Sequence, residues 1–134
     1  MAVEIRGKYL GNLGMELTHG PSGATLRTAA PVDNKGDGSS FSPTDLAAAA
    51  LGSCIVTTMG IFAQGQGIAF EGASFRVEKH MTGSPRRIEK LVVEVQMPGN
   101  LSDAEREQLE RIGRACPVDR SLLPEVVREI SFNY

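Results

Sequence analysis

The sequence has no tryptophan, and aromatic residues make up only 5% of its 134 residues. Proteins that bind single-stranded nucleic acid stack the bases on aromatic rings, so this composition offers little for that purpose. Positive charge is also sparse, because the formal net charge is −2 and no run of lysine or arginine exceeds two residues. We therefore expect no nucleic-acid partner and no attachment to an anionic membrane.

Secretion signals, long apolar runs and abundant cysteine are lacking as well. The opening MAVEIRGKYLG does not have the charged-then-apolar profile of a signal peptide. The longest apolar tract, residues 46–63, is interrupted by glycine, serine and threonine, which makes it too polar for a confident membrane span. Two cysteines are too few for a disulfide scaffold. We expect a cytoplasmic protein with a single domain over residues 1–134.

Alternating apolar and polar residues predict strands before and after a central helix. Three short strands are expected between residues 3 and 29, two long strands between about 75 and 97, and a last strand at 130–134. The polar, glycine-rich stretch PVDNKGDGSS, residues 31–40, is predicted to be a loop without a regular element. The fold class is therefore α+β, with antiparallel strands and two helices.

Both helices have clear start signals. Ser42-Pro43-Thr44-Asp45 combines a capping serine, a proline at the first helical position and an acidic side chain near the positive end of the dipole. This helix should end near Gly65. The residues expected on its buried face are Ala47, Ala50, Leu51, Cys54, Thr58 and Ile61. A second helix should begin with the capping box at 102–105 and continue to Cys116, with Pro117 ending it.

The two thiols are thus expected on the inward faces of two helices that cover one sheet. Composition alone favours buried structural cysteines. A zinc site of Cys54, Cys116, His19 and His80 lacks any C-x2-C or H-x3-H spacing, so no metal is predicted. At the C-terminal end of a helix the dipole raises a thiol pKa, which makes Cys116 the poorer nucleophile. Cys54 is therefore the candidate attacking thiol, and Cys116 the candidate resolving thiol.

Two motifs resemble the OsmC/Ohr family. One is Ser42-Pro43-Thr44-Asp45-Leu46, followed by alanines and Gly52-Ser53-Cys54; the other is Ala115-Cys116-Pro117-Val118, followed by Ser121-Leu122. The resemblance implies an intertwined α+β homodimer with a central and a second cysteine-bearing helix. In its best-understood branches it implies a thiol peroxidase that reduces organic hydroperoxides. It also implies Cys54 as peroxidatic and Cys116 as resolving cysteine, an external dithiol as reductant, and no cofactor.

The sequence departs from the peroxidase branches at the helix start. At this position the peroxidase branches have a motif similar to Asn-Pro-Glu-X-Leu, in which the Glu helps hold an arginine over the reactive thiol. Here Thr44 takes the Glu position, and Asp45 points about 100° away around the helix. No arginine lies in the matching early stretch 14–23. The remaining sources of charge are His19, Arg27 and the Arg86-Arg87 pair. Each also has a plain structural interpretation, Asp45 as a helix-start residue and the others as solvated side chains.

Three functions remain open at this point. The first is a cysteine-dependent peroxidase for small hydrophobic peroxides. The second is a non-catalytic binding or sensor protein with an apolar pocket, and the third is a thiol hydrolase, for which no positioned base is evident. The family arrangement places a residue of the helix start beside the reactive cysteine, yet Thr44 and Cys54 are separated by about 15 Å along one helix. The resemblance therefore implies a homodimer. The helix start, or an early hairpin residue such as His19, would then reach Cys54 of the partner.

Overall fold

The structure, a computed structural model, describes the whole chain, residues 1–134. The chain divides into two compact units, residues 1–46 and residues 47–134. Each unit contains one three-stranded sheet. The α+β class predicted from the sequence is confirmed, with mixed rather than wholly antiparallel strand pairing.

The first unit is an antiparallel meander of β1 (Ile5–Gly11), β2 (Gly14–His19) and β3 (Thr25–Ala29), in that spatial order. The predicted loop that follows contains a short 3-10 helix, Val32–Asn34, so the expectation of no regular element was wrong there. Its cause is local, since the carbonyl of Pro31 accepts hydrogen bonds from the amides of Asn34 and Gly36, at 3.0 and 2.9 Å.

Very little of this first unit is buried. Only Thr28, Ala29 and Ser42 are buried among residues 1–46. The register places alternate residues of the three strands on one face of the sheet. The apolar members of that face are Ile5, Tyr9, Met15, Leu17 and Leu26. We call this set the apolar sheet face; Ile5 and Tyr9 are 65% and 59% exposed.

Helix α1 runs from Pro43 to Gly65, as the start and stop signals predict. Ser42 precedes it, and its hydroxyl accepts a hydrogen bond from the amide of Asp45 at 3.1 Å. The Asp45 carboxylate in turn accepts from the amide of Ser42 at 2.9 Å. This reciprocal pair satisfies two backbone donors at the helix start, as a capping box does.

The buried face of α1 differs from the predicted one. The buried residues are Ala48, Leu51, Gly52, Ile55, Met59 and Ala63. Leu51 alone was expected among these, whereas Ala50 and Ile61 are exposed and Cys54 is half-buried. The prediction was wrong because this helix is apolar on nearly every side, so its pattern does not indicate which face meets the sheet. By length and composition α1 could also span a membrane, but core helices of soluble proteins meet the same criterion.

The second unit is built around β5. The hairpin of β4 (Ser74–Thr82) and β5 (Arg87–Gln96) is antiparallel, as predicted. The last strand, β6 (Val127–Asn133), pairs with β5 in parallel, which corrects the expectation of an antiparallel sheet. The crossover between β5 and β6 carries helices α2 (Asp103–Gly113) and α3 (Pro117–Arg120), and such a connection returns the chain in the same direction.

The core of this unit lies between α1 and one face of β5. Alternate β5 residues, from Leu91 to Val95, are fully buried and continue to Met97. They belong to one hydrophobic cluster with the buried face of α1, and with Leu109 and Cys116 from the crossover. Both cysteines therefore belong to the packing of the second unit.

Helix α2 begins at the predicted capping box, with Ser102 and Glu105 bonded reciprocally. It ends at Gly113, not at Cys116 as the sequence indicated. Cys116 has an extended backbone, φ −67° and ψ 152°, and is the N-cap of α3. Proline disfavours helical geometry in the residue before it and is well suited to a first helical position, so Pro117 begins a helix here.

Close packing at Gly52 yields a test of the core. A Cβ atom at this position would lie 2.3 Å from Cδ2 of the Phe75 ring on β4. Gly52→Ala should therefore destabilise the protein by about 1–3 kcal/mol, the usual cost of overpacking, as measured by chemical denaturation.

The matched control is Gly60→Ala in the same helix. A Cβ there would meet nothing closer than Phe70 Cδ2 at 3.9 Å, an ordinary contact. This variant should be neutral or more stable by up to about 1 kcal/mol, because alanine favours helix over glycine. Equal stability of the two variants would contradict the proposed packing.

Candidate active site

The first thiol, Cys54, lies in the middle of α1 and is half-buried. Its side chain packs against the edge of the hydrophobic cluster. One helical turn further on, Thr58 places its Oγ1 3.8 Å from Cys54 Sγ. A residue four positions away on a helix lies on the same side, so this hydroxyl is held next to the sulfur by helix geometry alone.

The second thiol, Cys116, is fully buried. Its Sγ accepts a hydrogen bond from the amide of Asp119, with 3.4 Å between nitrogen and sulfur. The sulfur therefore takes the role that a serine or aspartate oxygen has at most helix starts. This position replaces the predicted one at the C-terminal end of α2, where the dipole argument would have applied.

Both thiols are free, and both pack into the same hydrophobic cluster. The pKa of the Cys116 thiol is raised, mainly by burial, and further by a hydrogen bond from its side chain to Cys54 and by the charge of Cys54. The Asp119 amide opposes this shift, while the charge of the Asp119 carboxylate adds to it. The largest cause of the raised pKa of Cys116 is thus burial, and not the helix dipole that the sequence suggested.

The residues proposed around the site at the helix start form a group of their own. Asp45 is bonded to Ser42 in the capping pair described above. Thr44 Oγ1 lies 3.2 Å from Ser42 Oγ. Asp45 therefore takes part in the cap at the helix start.

His19 and Arg27 lie on opposite faces of the first sheet. His19 Nδ1 is 2.6 Å from Ser22 Oγ at the end of β2, on the same side as the apolar sheet face. Arg27 on β3 pairs across the sheet with Glu16, at 3.8 Å between Nη2 and Oε2, and its side chain is 70% exposed. The structure therefore separates these two candidates, and only His19 accompanies the apolar side chains.

The sequence reasoning missed Asp119 and Arg128, and it placed Thr58 on the helix face of Cys54 without giving it a role at the site. Asp119 and Arg128 form an ion pair, with 2.9 Å between Arg128 Nε and Asp119 Oδ1. The sequence did contain a signal for Asp119, since it stands three residues after a cysteine that precedes proline, the spacing of an N-cap and its N3 residue. No local signal indicated Arg128. No group of three or more His, Cys, Asp and Glu side chains is placed to hold a metal ion.

Comparison with known proteins shows which family the chain is related to. The family model for OsmC-like proteins matches residues 36–131. The chain belongs to the OsmC-like family. A solved Psychrobacter arcticus 273-4 protein, assigned to the osmotic stress and detoxification response, is 32% identical with a TM-score of 0.93, over 99% of this chain and 97% of the other. No curated protein matches the sequence.

More distant OsmC-like structures share the fold. The Legionella pneumophila organic hydroperoxide resistance protein OsmC is 20% identical with a TM-score of 0.78, covering 100% of this chain and 98% of the other. An organic hydroperoxide resistance protein from Elizabethkingia anophelis is 12% identical with a TM-score of 0.76, covering 99% and 96%. The OsmC/Ohr resemblance seen in the sequence is thereby confirmed at the level of family and fold.

The raised pKa of Cys116 can be tested with a single-thiol variant. In Cys54→Ser, burial still disfavours the Cys116 thiolate, so alkylation by iodoacetamide should accelerate only at a pH above the range of an ordinary thiol. The same variant in denaturant supplies the control, because its thiol is then solvated. A pH midpoint in the folded protein at or below that of the denatured chain would show the assignment to be wrong.

Proposed function

We propose that this OsmC-like protein is a cysteine-based thiol peroxidase, or a closely related redox protein, that reduces organic hydroperoxides. Cys54 is the peroxidatic and Cys116 the resolving cysteine. The observation that carries the proposal is that a half-buried and a fully buried free thiol pack into the same hydrophobic cluster, with Cys54 among the groups that raise the pKa of Cys116. Membership of a family whose relatives include organic hydroperoxide resistance proteins supports it.

The first step consumes the peroxide. The Cys54 thiolate attacks the terminal oxygen of ROOH, a sulfur–oxygen bond forms and the oxygen–oxygen bond breaks. The alkoxide leaves and takes up a proton to become an alcohol. Cys54 becomes a sulfenic acid, so sulfur is oxidised by two electrons while the peroxide is reduced by two.

The second step closes a disulfide. The sulfur of Cys116 attacks the sulfur of the Cys54 sulfenic acid, and the hydroxyl group leaves as water with the proton that Cys116 gives up. An external dithiol then reduces the disulfide by two successive exchanges and is itself oxidised. Adjacent thiols favour this step because a disulfide requires Cα atoms within about 7 Å.

Differences in accessibility support the assignment of the two roles. Cys54 is half-buried and can be reached from outside, whereas Cys116 is fully buried. When Cys54 is a thiolate, the Cys116 thiol and the Thr58 hydroxyl can both donate a hydrogen bond to it. Neutral donors of this kind stabilise an anion in a partly desolvated place. The small, apolar side chains of α1 suit a hydrophobic peroxide.

A homodimer is part of the proposal. The 46 residues of the first unit bury only three side chains, and a unit of this size cannot be stable without a core. A second copy of the chain that covers the apolar sheet face would supply one, through a two-fold contact. His19 lies on that face and Arg27 does not. His19 is therefore the better candidate for a residue contributed in trans, with Thr44 at the helix start as the other.

Single-turnover reaction with cumene hydroperoxide tests the catalytic roles. Cys54→Ser should abolish peroxide consumption, since the attacking sulfur is gone. Cys116→Ser should consume one equivalent per chain and then stop as sulfenic acid or become over-oxidised, visible by mass spectrometry. Full turnover by Cys54→Ser would exclude the assignment, and a wild-type protein that binds hydroperoxides without reducing them would favour the alternative of a binding or sensor protein.

The dimer is tested on the apolar sheet face. Leu26→Glu places a charge on that face and should shift sedimentation at micromolar concentration from two chains toward one, with loss of peroxide turnover. Thr25→Glu is the matched control, because the neighbouring residue points to the opposite face of the sheet. A wild-type protein that is monomeric yet fully reactive would overturn the dimer proposal.

A further inference from the structure

The ion pair of Asp119 and Arg128 is more buried than a typical surface pair. Both side chains are 20% exposed, compared with 70% and 40% for Arg27 and Glu16 in the first sheet. Arg128 Nε donates to Asp119 Oδ1 at 2.9 Å. Pairs in such partly desolvated positions interact more strongly than solvated ones, because water and salt screen them less.

Arg128 holds more than the carboxylate. Its Nη1 donates to the backbone carbonyls of Leu123 and Val126, at 2.9 and 2.5 Å. One guanidinium on β6 therefore binds three acceptors, from α3 and from the loop that leads into β6. This arrangement fixes the segment that directly follows Cys116.

The same segment contacts the resolving thiol. The backbone amide of Asp119 donates to Cys116 Sγ, while the side chain of Asp119 accepts from Arg128. Asp119 thus links the two, because its side chain binds Arg128 and its backbone amide binds the Cys116 sulfur. An amide that points at sulfur stabilises the thiolate, which is the form of Cys116 that attacks the oxidised Cys54.

The geometry points to Arg128 and Asp119 as positioning residues for the resolving step. Asp119 directs its amide at Cys116 Sγ, and Arg128 holds Asp119 in place and neutralises its carboxylate. Cys116 can then give up its proton next to Cys54. The role of Cys116 as resolving thiol rests on the proposed function; the effect of the pair on Cys116 ionisation does not.

The charges around Cys116 determine in which direction each substitution should shift the pKa of its thiol. The groups that act on it are Cys54 in α1, Asp119 in α3, and Arg128 in β6 through Asp119, while Arg120 bonds the carbonyl of Ala115 just before it. The Asp119 carboxylate adds to the raised pKa of Cys116. Arg128→Gln leaves that carboxylate uncompensated, so the pKa should rise further. Asp119→Asn removes the negative charge and keeps the amide, so the pKa should fall.

The experiment uses the full-length reduced protein and an aromatic disulfide, 5,5′-dithiobis(2-nitrobenzoate), with no peroxide. Cys54, the more accessible thiol, attacks the reagent and releases one thionitrobenzoate, leaving a mixed disulfide. Cys116 then attacks the Cys54 sulfur, the protein disulfide forms and a second thionitrobenzoate leaves. The two releases are followed by absorbance as a function of pH, and the second reports Cys116.

The pH midpoint of the second release should move upward by about half a unit in Arg128→Gln, roughly a threefold loss of rate below the midpoint. It should move downward in Asp119→Asn. Both substitutions break the same ion pair, so a merely structural role would change them alike. Arg114→Gln is the control: Arg114 bonds the Ile130 carbonyl at 3.1 Å and lies over the Phe132 ring, and it is not among the groups that shift the pKa of Cys116, so the midpoint should not move.

Shifts in the same direction, or none, would overturn the inference. If Arg128→Gln does not fold, Arg128→Lys and Asp119→Asn decide the question, because lysine keeps the charge and should leave the midpoint near that of the wild type. Opposite shifts in a protein that does not reduce hydroperoxides would refute the proposed function and leave this inference standing. Hydroperoxide reduction by a protein in which both substitutions shift the midpoint in the same direction would support the proposed function and overturn this inference.

Discussion

Pro117 restricts the backbone before it and supplies no amide hydrogen, and the position of the second thiol depends on that restriction. Cys116 is forced out of helical geometry, so α2 ends three residues earlier, at Gly113, and a new helix begins with the sulfur as its cap. The thiol is thereby turned into the hydrophobic cluster, where it meets Cys54. The position of the Cys116 thiol in this cluster therefore follows from the backbone geometry that Pro117 imposes.

That geometry places the Cys116 thiol where burial raises its pKa. Burial opposes ionisation of Cys116, and ionisation of Cys54 opposes it further, so a proton is retained on the inner sulfur. Such an arrangement would suit the roles proposed for the two thiols, because a neutral thiol beside a thiolate can donate a hydrogen bond to it. The Thr58 hydroxyl, 3.8 Å from Cys54 Sγ, is a second neutral group of the same unit beside that sulfur.

The sequence was most informative where the signal is local. Both helix starts were predicted correctly, because capping residues act over three or four positions and need nothing else. The hairpin of β4 and β5 followed from alternation and a turn. Predictions that depended on contacts with distant elements were wrong. The buried face of α1 was misassigned because the helix is apolar on nearly every side. The parallel pairing of β6 with β5 depends on a crossover of thirty residues, which no local pattern indicates. Cys54 was preferred as the nucleophile because Cys116 was expected at the C-terminal end of α2, a position that Cys116 does not occupy. Arg128 gave no signal, since its partner lies in another element.

The first unit poses the complementary problem, because its strands were predicted well and yet its own residues do not explain its stability. Backbone pairing fixes β1, β2 and β3 in register, but pairing alone does not offset the entropy of ordering forty-six residues. The alternation of the strands places His19 on the apolar sheet face and Arg27 on the other. In the proposed dimer the apolar sheet face would be covered by a second copy, and the imidazole of His19 would lie in that contact. Stability of the first unit and completion of the proposed site would then depend on the same interface.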